Sequence, residues 1–308
     1  MVTCEKGTFP SVTGQELDCR LWLPEGEIRG VVQFVHGMAE HIDRYDAPAR
    51  ALAEAGYAVA GHTHLGHGEK AAILGHFADK NGWQDLIEDV HALRCRTQAR
   101  FPGLPYFILG HSMGSFVTRC YLIDHGEGLT GAVLSGTGYF PPATVHAGLA
   151  LANVICLFGG ARKPSNLINQ VAFSASNKPF APARTPFDWL NRVDAEVDKY
   201  IADPYCGFVF TASGYRDLFR GLNRLNRLDD LKRMPKELPV LFFSGGNDPV
   251  GSMGTGVNRV ADQFRDAGMK NVTVRLYEGG RHEMFNEMNR EDVYRDLAEW
   301  LSAHLPQA

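Results

Sequence analysis

Residues 106–122 read Tyr-Phe-Ile-Leu-Gly-His-Ser-Met-Gly-Ser-Phe-Val-Thr-Arg-Cys-Tyr-Leu. Tyr106–Leu109 is a short apolar run with the length of a buried strand, and from Ser115 onward the pattern becomes helical. Between them lies Gly110-His111-Ser112-Met113-Gly114, a G-x-S-x-G that joins strand to helix as a nucleophile elbow does. A turn this tight forces residue 112 into a strained backbone conformation. Side chains at 110 and 114 would collide with the neighbouring strand and helix. The strain leaves the Ser112 hydroxyl exposed at the sheet's edge, where a helix N-terminus favours developing negative charge. The pentapeptide also occurs by chance in loops, so its weight comes from the strand before it and the helix after it. Ser112 is the candidate nucleophile.

Outward from this elbow, short apolar runs alternate with longer segments of helical period, which predicts a mostly parallel sheet flanked by helices. The expected strands are 17–23, 30–35, 58–61, 106–110, 131–135, 240–244 and 272–277, with a weaker one over 3–9. Residues 45–55 read as a helix stopped by Gly56, a residue suited to the left-handed C-cap position. Trp83, Leu86, Ile87, Val90 and Leu93 form one buried helix face, and Val293, Leu297, Trp300 and Leu301 form another. Between about Gly138 and Leu228 the rhythm fails. That stretch carries an apolar run, Ala147–Phe158, then prolines and aromatics such as Trp189. It reads as a helical insertion covering one end of the sheet, with most side chains of the apolar run packed on neighbours.

A serine hydroxyl becomes a good nucleophile only when a base takes its proton, and the base needs an orienting carboxylate. Behind such an elbow the partners follow in the order Ser, Asp or Glu, His. Of the twelve histidines, only His282 and His304 lie downstream of a suitable acid. His304 sits in the last helix and is expected to face solvent. His282 follows a strand and the loop Glu278-Gly279-Gly280-Arg281, whose glycines let the backbone bend toward the site. Asp248 lies just beyond the strand 240–244, in Gly246-Asn247-Asp248-Pro249. Alone, those residues would read as an ordinary turn. Three partial signals in the required order and on the required elements make Ser112, Asp248 and His282 the expected triad. One oxyanion donor should come from the loop after strand 30–35 and one from the residue after the nucleophile, which nominates the Met38 and Met113 N–H groups.

His36-Gly37-x-x-Glu40-His41, Gly-His-Gly at 66–68, Gly-His-Ser-Met-Gly at 110–114, Gly-Asn-Asp-Pro-Val at 246–250 and Gly-Gly-x-His-Glu at 279–283 together resemble the monoacylglycerol lipase and lysophospholipase-like (serine aminopeptidase-type) branch of the α/β hydrolases. The resemblance implies an eight-stranded sheet with a helical cap inserted before the strand that carries Asp248. That divides the chain into a core of 1–137 and 229–308 and a cap of 138–228. It also implies hydrolysis of a lipophilic acyl ester without a cofactor, and a cap that lines an acyl tunnel or makes transient contact with a membrane surface. Glu40 and His41 read as loop-bracing residues, and Cys206 in the cap as a buried cysteine near the site. One departure stands out. The family has an aspartate shortly before its Gly-His-Gly, and Thr63 occupies that position here.

His62-x-His64-x-x-His67 could converge on zinc, since imidazoles so spaced are metal ligands elsewhere. The aspartate of such motifs is replaced by Gly66 and no further ligand cluster presents itself, so a hydrogen-bonded loop without metal is expected. The same triad could serve a peptidase, thioesterase or acyltransferase, or survive in a ligand-binding receptor. A dehalogenase or epoxide hydrolase would need a carboxylate at 112.

Composition agrees with these expectations. The 308 residues carry a net charge of −4, from 31 basic and 35 acidic side chains, which argues against a nucleic-acid partner. Six cysteines have no paired spacing, and the N-terminus lacks a basic segment followed by an apolar one, so a cytoplasmic protein is expected. No stretch is read as long and apolar enough to span a membrane.

Overall fold

The computed structural model describes residues 1–306. Eight strands form one sheet: β1 (Thr3–Pro10), β2 (Glu16–Leu23), β3 (Gly30–Val35), β4 (Tyr57–His62), β5 (Tyr106–His111), β6 (Gly131–Ser135), β7 (Val240–Gly245) and β8 (Val272–Tyr277). Their order is β1-β2-β4-β3-β5-β6-β7-β8. The β1–β2 and β2–β4 pairs are antiparallel and all the others parallel. All expected strands are present, the weak 3–9 strand included, with ends displaced by a residue at most where they differ. This is the α/β-hydrolase fold that the resemblance implied.

The central strands are legible because both of their faces are covered. Every residue of β3 to β7 is buried, so each reads as a continuous apolar run rather than an alternating one. The two faces still alternate underneath. Ile108, Ala132, Leu134, Val240 and Phe242 join the core on one side, and Phe107, Leu109, Val133, Leu241 and Phe243 the core on the other. The first core is closed by α2 (Gly82–Arg100), α3 (Met113–His125) and α9 (Thr255–Asp266). The second is closed by α1 (Asp46–Glu54) and α10 (Arg290–Ala303). Gly56 follows α1 with φ of 94°, the left-handed stop expected of it.

Between β6 and β7 come α4 (Pro142–Ile155), α5 (Asn166–Phe173), α6 (Asp194–Ala202), α7 (Ala212–Leu225) and the single turn α8 (Leu228–Leu231). α7 is more than a cover. Its Gly221 lies against the Trp83 indole of α2, where a Cβ would collide with the ring, and Leu218, Leu222 and Leu225 join the larger core.

The apolar run Ala147–Phe158 departs from expectation. Within α4 only Val145 and Ala152 are buried, while Val154, Leu157 and Phe158 are 52%, 80% and 83% exposed. One side of the helix rests on α7, with Gly148 against the Phe219 ring. Its N-terminal and outward positions are largely exposed, although α5 also touches the helix. The helical stretch Pro142–Gly160 is also 19 residues long and free of Asp, Glu, Lys and Arg. By length and composition it could cross a membrane, contrary to the reading that no such stretch exists.

Candidate active site

The elbow has the conformation that its sequence demands. Ser112 sits at φ 52° and ψ −121°, a region costly for any residue with a Cβ. A Cβ on Gly110 would run into Thr118 and the Gly114 carbonyl, and one on Gly114 into the Val35 and His36 carbonyls. Glycine at both positions is therefore a condition of the turn. The Ser112 N–H donates to Ser135 O at 2.9 Å, and Ser112 O accepts from Ser115 N and from Ser115 Oγ. These bonds fix the backbone.

Asp248 and His282 come together as expected. His282 Nδ1 lies 2.9 Å from Asp248 Oδ2, with both side chains buried. The carboxylate is held from two further directions, by Ser244 Oγ at 3.0 Å and Val250 N–H at 2.9 Å. Burial alone would push the His282 imidazole down. The charge of Asp248 and the hydrogen bond to it outweigh burial and hold it above its ordinary 6.5. Next to it, His111 is pushed down to about 4, first by burial and then by its neighbour. The His111 and His282 rings are 4.8 Å apart, and a Cβ on Gly136 would touch both. His282 thus lies beside the residue that precedes Ser112. Among the described residues Ser112 Oγ makes no hydrogen bond. In unliganded sites that contact is often long and tightens when substrate binds.

The loop after β3 shows why Met38 is the free donor. Gly37 N–H is taken by Glu40 Oε1 at 2.6 Å, and Ala39 N–H by His67 Nε2 at 3.3 Å. Neither Met38 N–H nor Met113 N–H has an acceptor among the described residues. Glu40 also accepts from Tyr45 OH at 2.7 Å and from Arg44, so it braces the loop as expected. Thr63 fills the position of the missing aspartate with other bonds. Its N–H donates to Asp18 O, and its Oγ1 accepts from Ile42 N–H at 3.4 Å.

Sequence reading missed the group that ties this loop to the base. Arg44 makes a two-pronged bond to Glu283, at 2.7 and 2.8 Å, while also reaching Glu40. It thereby joins the β3 loop to the residue after His282. Burial opposes the Glu283 charge, yet Arg44 pulls its carboxyl down to about 2. A depressed carboxyl stabilises the fold above its unfolded value, near 4.5, and loses that contribution as pH falls toward 2. Glu283→Gln is therefore expected to cost on the order of 2–3 kcal/mol at neutral pH and roughly half as much at pH 3, where the unfolded carboxyl is protonated and the native one is still largely ionised. Urea melts at pH 7 and pH 3 check this. An equal loss at both would mean that packing, not charge, holds the pair.

A second missed residue is Trp189, whose ring lies 5.0 Å from that of His282. Its turn, Asp188–Leu190, is pinned to the His282 loop by Glu283 N–H to Leu190 O and by Arg281 to Asn191 O. The only signal in the sequence was an aromatic in the insertion.

His62, His64 and His67 turn inward on a dense network. His64 Nδ1 meets His62 Nε2 at 3.1 Å, His36 Nε2 accepts from His64 N–H, and His67 Nδ1 meets Leu65 O. Burial keeps the rings neutral, with His62 pushed down to about 3 and His67 to about 4. The nitrogens of His64 and His67 are engaged with ring or backbone partners, while His62 Nδ1 is buried without one among the described residues. His304 follows α10, with Nδ1 2.7 Å from Trp300 O and its ring tilted against the Trp300 ring at 4.3 Å.

Comparison with known proteins gives the family. The chain is 28% identical over 307 residues to a monoacylglycerol lipase of Mycolicibacterium smegmatis, covering 98% of this chain and 99% of that one. It is 28% identical over 295 residues to human monoglyceride lipase, covering 94% and 88%. Among solved structures, a thermostable carboxyl esterase from Bacillus coagulans in complex with glycerol superposes with a TM-score of 0.92 at 28% identity, covering 99% of both chains. The model of the family described as serine aminopeptidase, S33, matches residues 26–289. The chain belongs to that family of α/β hydrolases.

Proposed function

We propose that this carboxylic ester hydrolase cleaves monoacylglycerol- or lysophospholipid-type lipophilic esters through Ser112, His282 and Asp248. The observation that carries the reading is the buried His282–Asp248 bond, set beside a strained Ser112 and two backbone N–H groups without acceptors. Ser112 Oγ attacks the ester carbonyl as His282 takes its proton. Asp248 holds the ring in the tautomer that leaves Nε2 free to do so. Met38 and Met113 N–H groups receive the oxyanion, each worth about 2.7–4 kcal/mol. His282 then protonates the leaving alcohol and later activates the water that releases the acid. No metal or cofactor enters these steps. Relatives named for monoacylglycerol hydrolysis support a lipophilic acyl group.

In this reading residues 138–228 form a cap over a core of 1–137 and 229–308. Six unpaired cysteines favour a reducing, cytoplasmic setting. The exposed turn after α4 touches a lipid surface transiently, because Leu157 and Phe158 each gain about 1.5–3 kcal/mol on leaving water.

A panel of monoacylglycerols, lysophospholipids, p-nitrophenyl esters and aminoacyl amides tests the substrate class. Fastest multiple turnover on a long-chain monoacyl ester is expected. Preference for the amides overturns the ester reading, and a single turnover on every ester would make the protein a receptor. Sedimentation with neutral phosphatidylcholine vesicles tests the surface. Leu157→Ser with Phe158→Ser should weaken binding by at least roughly tenfold, and unchanged binding rules out this turn.

A further inference from the structure

At the seam between the β3 loop and the cap, His41, Asp203 and Cys206 form a group that the ester chemistry does not use. One ring nitrogen of His41, one carboxylate oxygen of Asp203 and Sγ of Cys206 all lie within 4.8 Å of one another. His41 Nε2 is 2.8 Å from Asp203 Oδ2. We propose that these three side chains bind a zinc ion.

The local backbone is organised for it. Asp203-Pro204-Tyr205-Cys206 is a turn closed by Cys206 N–H to Asp203 O at 3.0 Å. That closure brings a carboxylate and a thiol three residues apart to one side. Tyr205 N–H occupies Asp203 Oδ1 at 2.8 Å, which fixes the carboxylate and leaves Oδ2 facing His41. Second contacts of this kind orient metal ligands. The side chains of His41 and Asp203 are 15% and 29% exposed, open enough for an ion to enter and sheltered enough to hold it.

Charge points the same way. The ionised groups acting on Cys206 are Arg44 against Glu40, Asp203 and Glu283, one cation against three carboxylates. A divalent cation would cancel the excess. An imidazole nitrogen, a carboxylate oxygen and a sulfur suit zinc far better than calcium or magnesium, which prefer oxygen alone. Zinc bonds of about 2.0–2.3 Å place tetrahedral donors roughly 3.3–3.7 Å apart. The His41–Asp203 pair, at 2.8 Å, must therefore open by about 0.5 Å, and the widest pair, at most 4.8 Å, must close by up to about 1 Å.

Burial keeps the Cys206 sulfur protonated in the absence of metal. Binding replaces the S–H bond by an S–Zn bond and releases the proton to solvent, without redox change. A fourth position stays open to water. The ion would staple residue 41 to residues 203–206, reinforcing contacts already at this seam, where Ala39 O accepts from Gly207 N–H and Tyr200 OH.

The experiment uses the full chain, stripped with a chelator and titrated with zinc and, for its spectrum, cobalt. One equivalent should bind, raise the melting temperature, and with cobalt give a thiolate charge-transfer band in the near ultraviolet. Cys206→Ser should lose the band and bind more than about 100-fold more weakly, while its metal-free melting curve matches wild type. Asp203→Asn should weaken binding while keeping the band. Absence of the band in wild type, or binding unchanged in Cys206→Ser, overturns the site. These readouts involve no ester turnover.

Discussion

Ser112→Ala is expected to lower ester hydrolysis by about 10⁴–10⁶-fold while leaving the fold intact. Ser112 Oγ makes no hydrogen bond among the described residues, so its removal strands no partner. Alanine carries the same Cβ into the same strained turn, and the strain at φ 52° is unchanged. What disappears is the atom that forms the acyl-enzyme. Residual activity would come from the Met38 and Met113 N–H groups and from binding. A fluorophosphonate probe should label wild type once and the variant not at all. Labelling of the variant, or ester turnover near the wild-type rate, would remove Ser112 from the mechanism.

The second large effect belongs to Asp248→Asn, for which kcat near neutral pH should fall by about 10⁴-fold. An amide in place of the carboxylate can donate to His282 Nδ1, which places the ring proton on Nε2, the atom that must accept from serine. The pH profile carries a further signature. In wild type the carboxylate outweighs burial and holds His282 above 6.5, so activity should fall as pH drops through a value above 6.5. Without that charge burial is unopposed by Asp248, and the acid limb of kcat/KM should move to lower pH. A kcat within about tenfold of wild type, or an acid limb that does not move, would give the orienting role to another group.

These predictions rest on residues that were legible before any coordinates. The reason is the topology of a parallel sheet. Each chemical group sits just past the carboxyl end of a strand buried on both faces, and such strands announce themselves as apolar runs. Ser112 follows β5, Asp248 follows β7 and His282 follows β8. The N-terminal strand gave only a weak signal because most of β1 is exposed, and what holds it in the sheet is its antiparallel pairing with β2.

Arg44 and Glu283 illustrate what stayed hidden. Each looks like an ordinary charged residue, and 239 positions separate them. No local period encodes which of the many possible partners a guanidinium will find. Trp189 was noticed as an aromatic of the insertion, but its place over His282 depends on how that insertion folds back. For α4 the composition was plain and the conclusion wrong. An apolar surface reads the same whether a neighbour covers it or not, and here α7 and α5 leave Val154, Leu157 and Phe158 uncovered.

By itself the sequence determined the strands, the core helices that flank them, the elbow at Ser112 and the positions of Asp248 and His282 just past β7 and β8. Those features are written in short-range patterns of burial and backbone strain, which act over a few residues and need no partner to be recognised. Tertiary structure alone decided that Arg44 couples the β3 loop to the His282 loop, that the end of α4 faces outward, and that His41 meets Asp203 and Cys206 across the seam. Each of these depends on which distant segments meet and which do not, set by the packing of the whole chain.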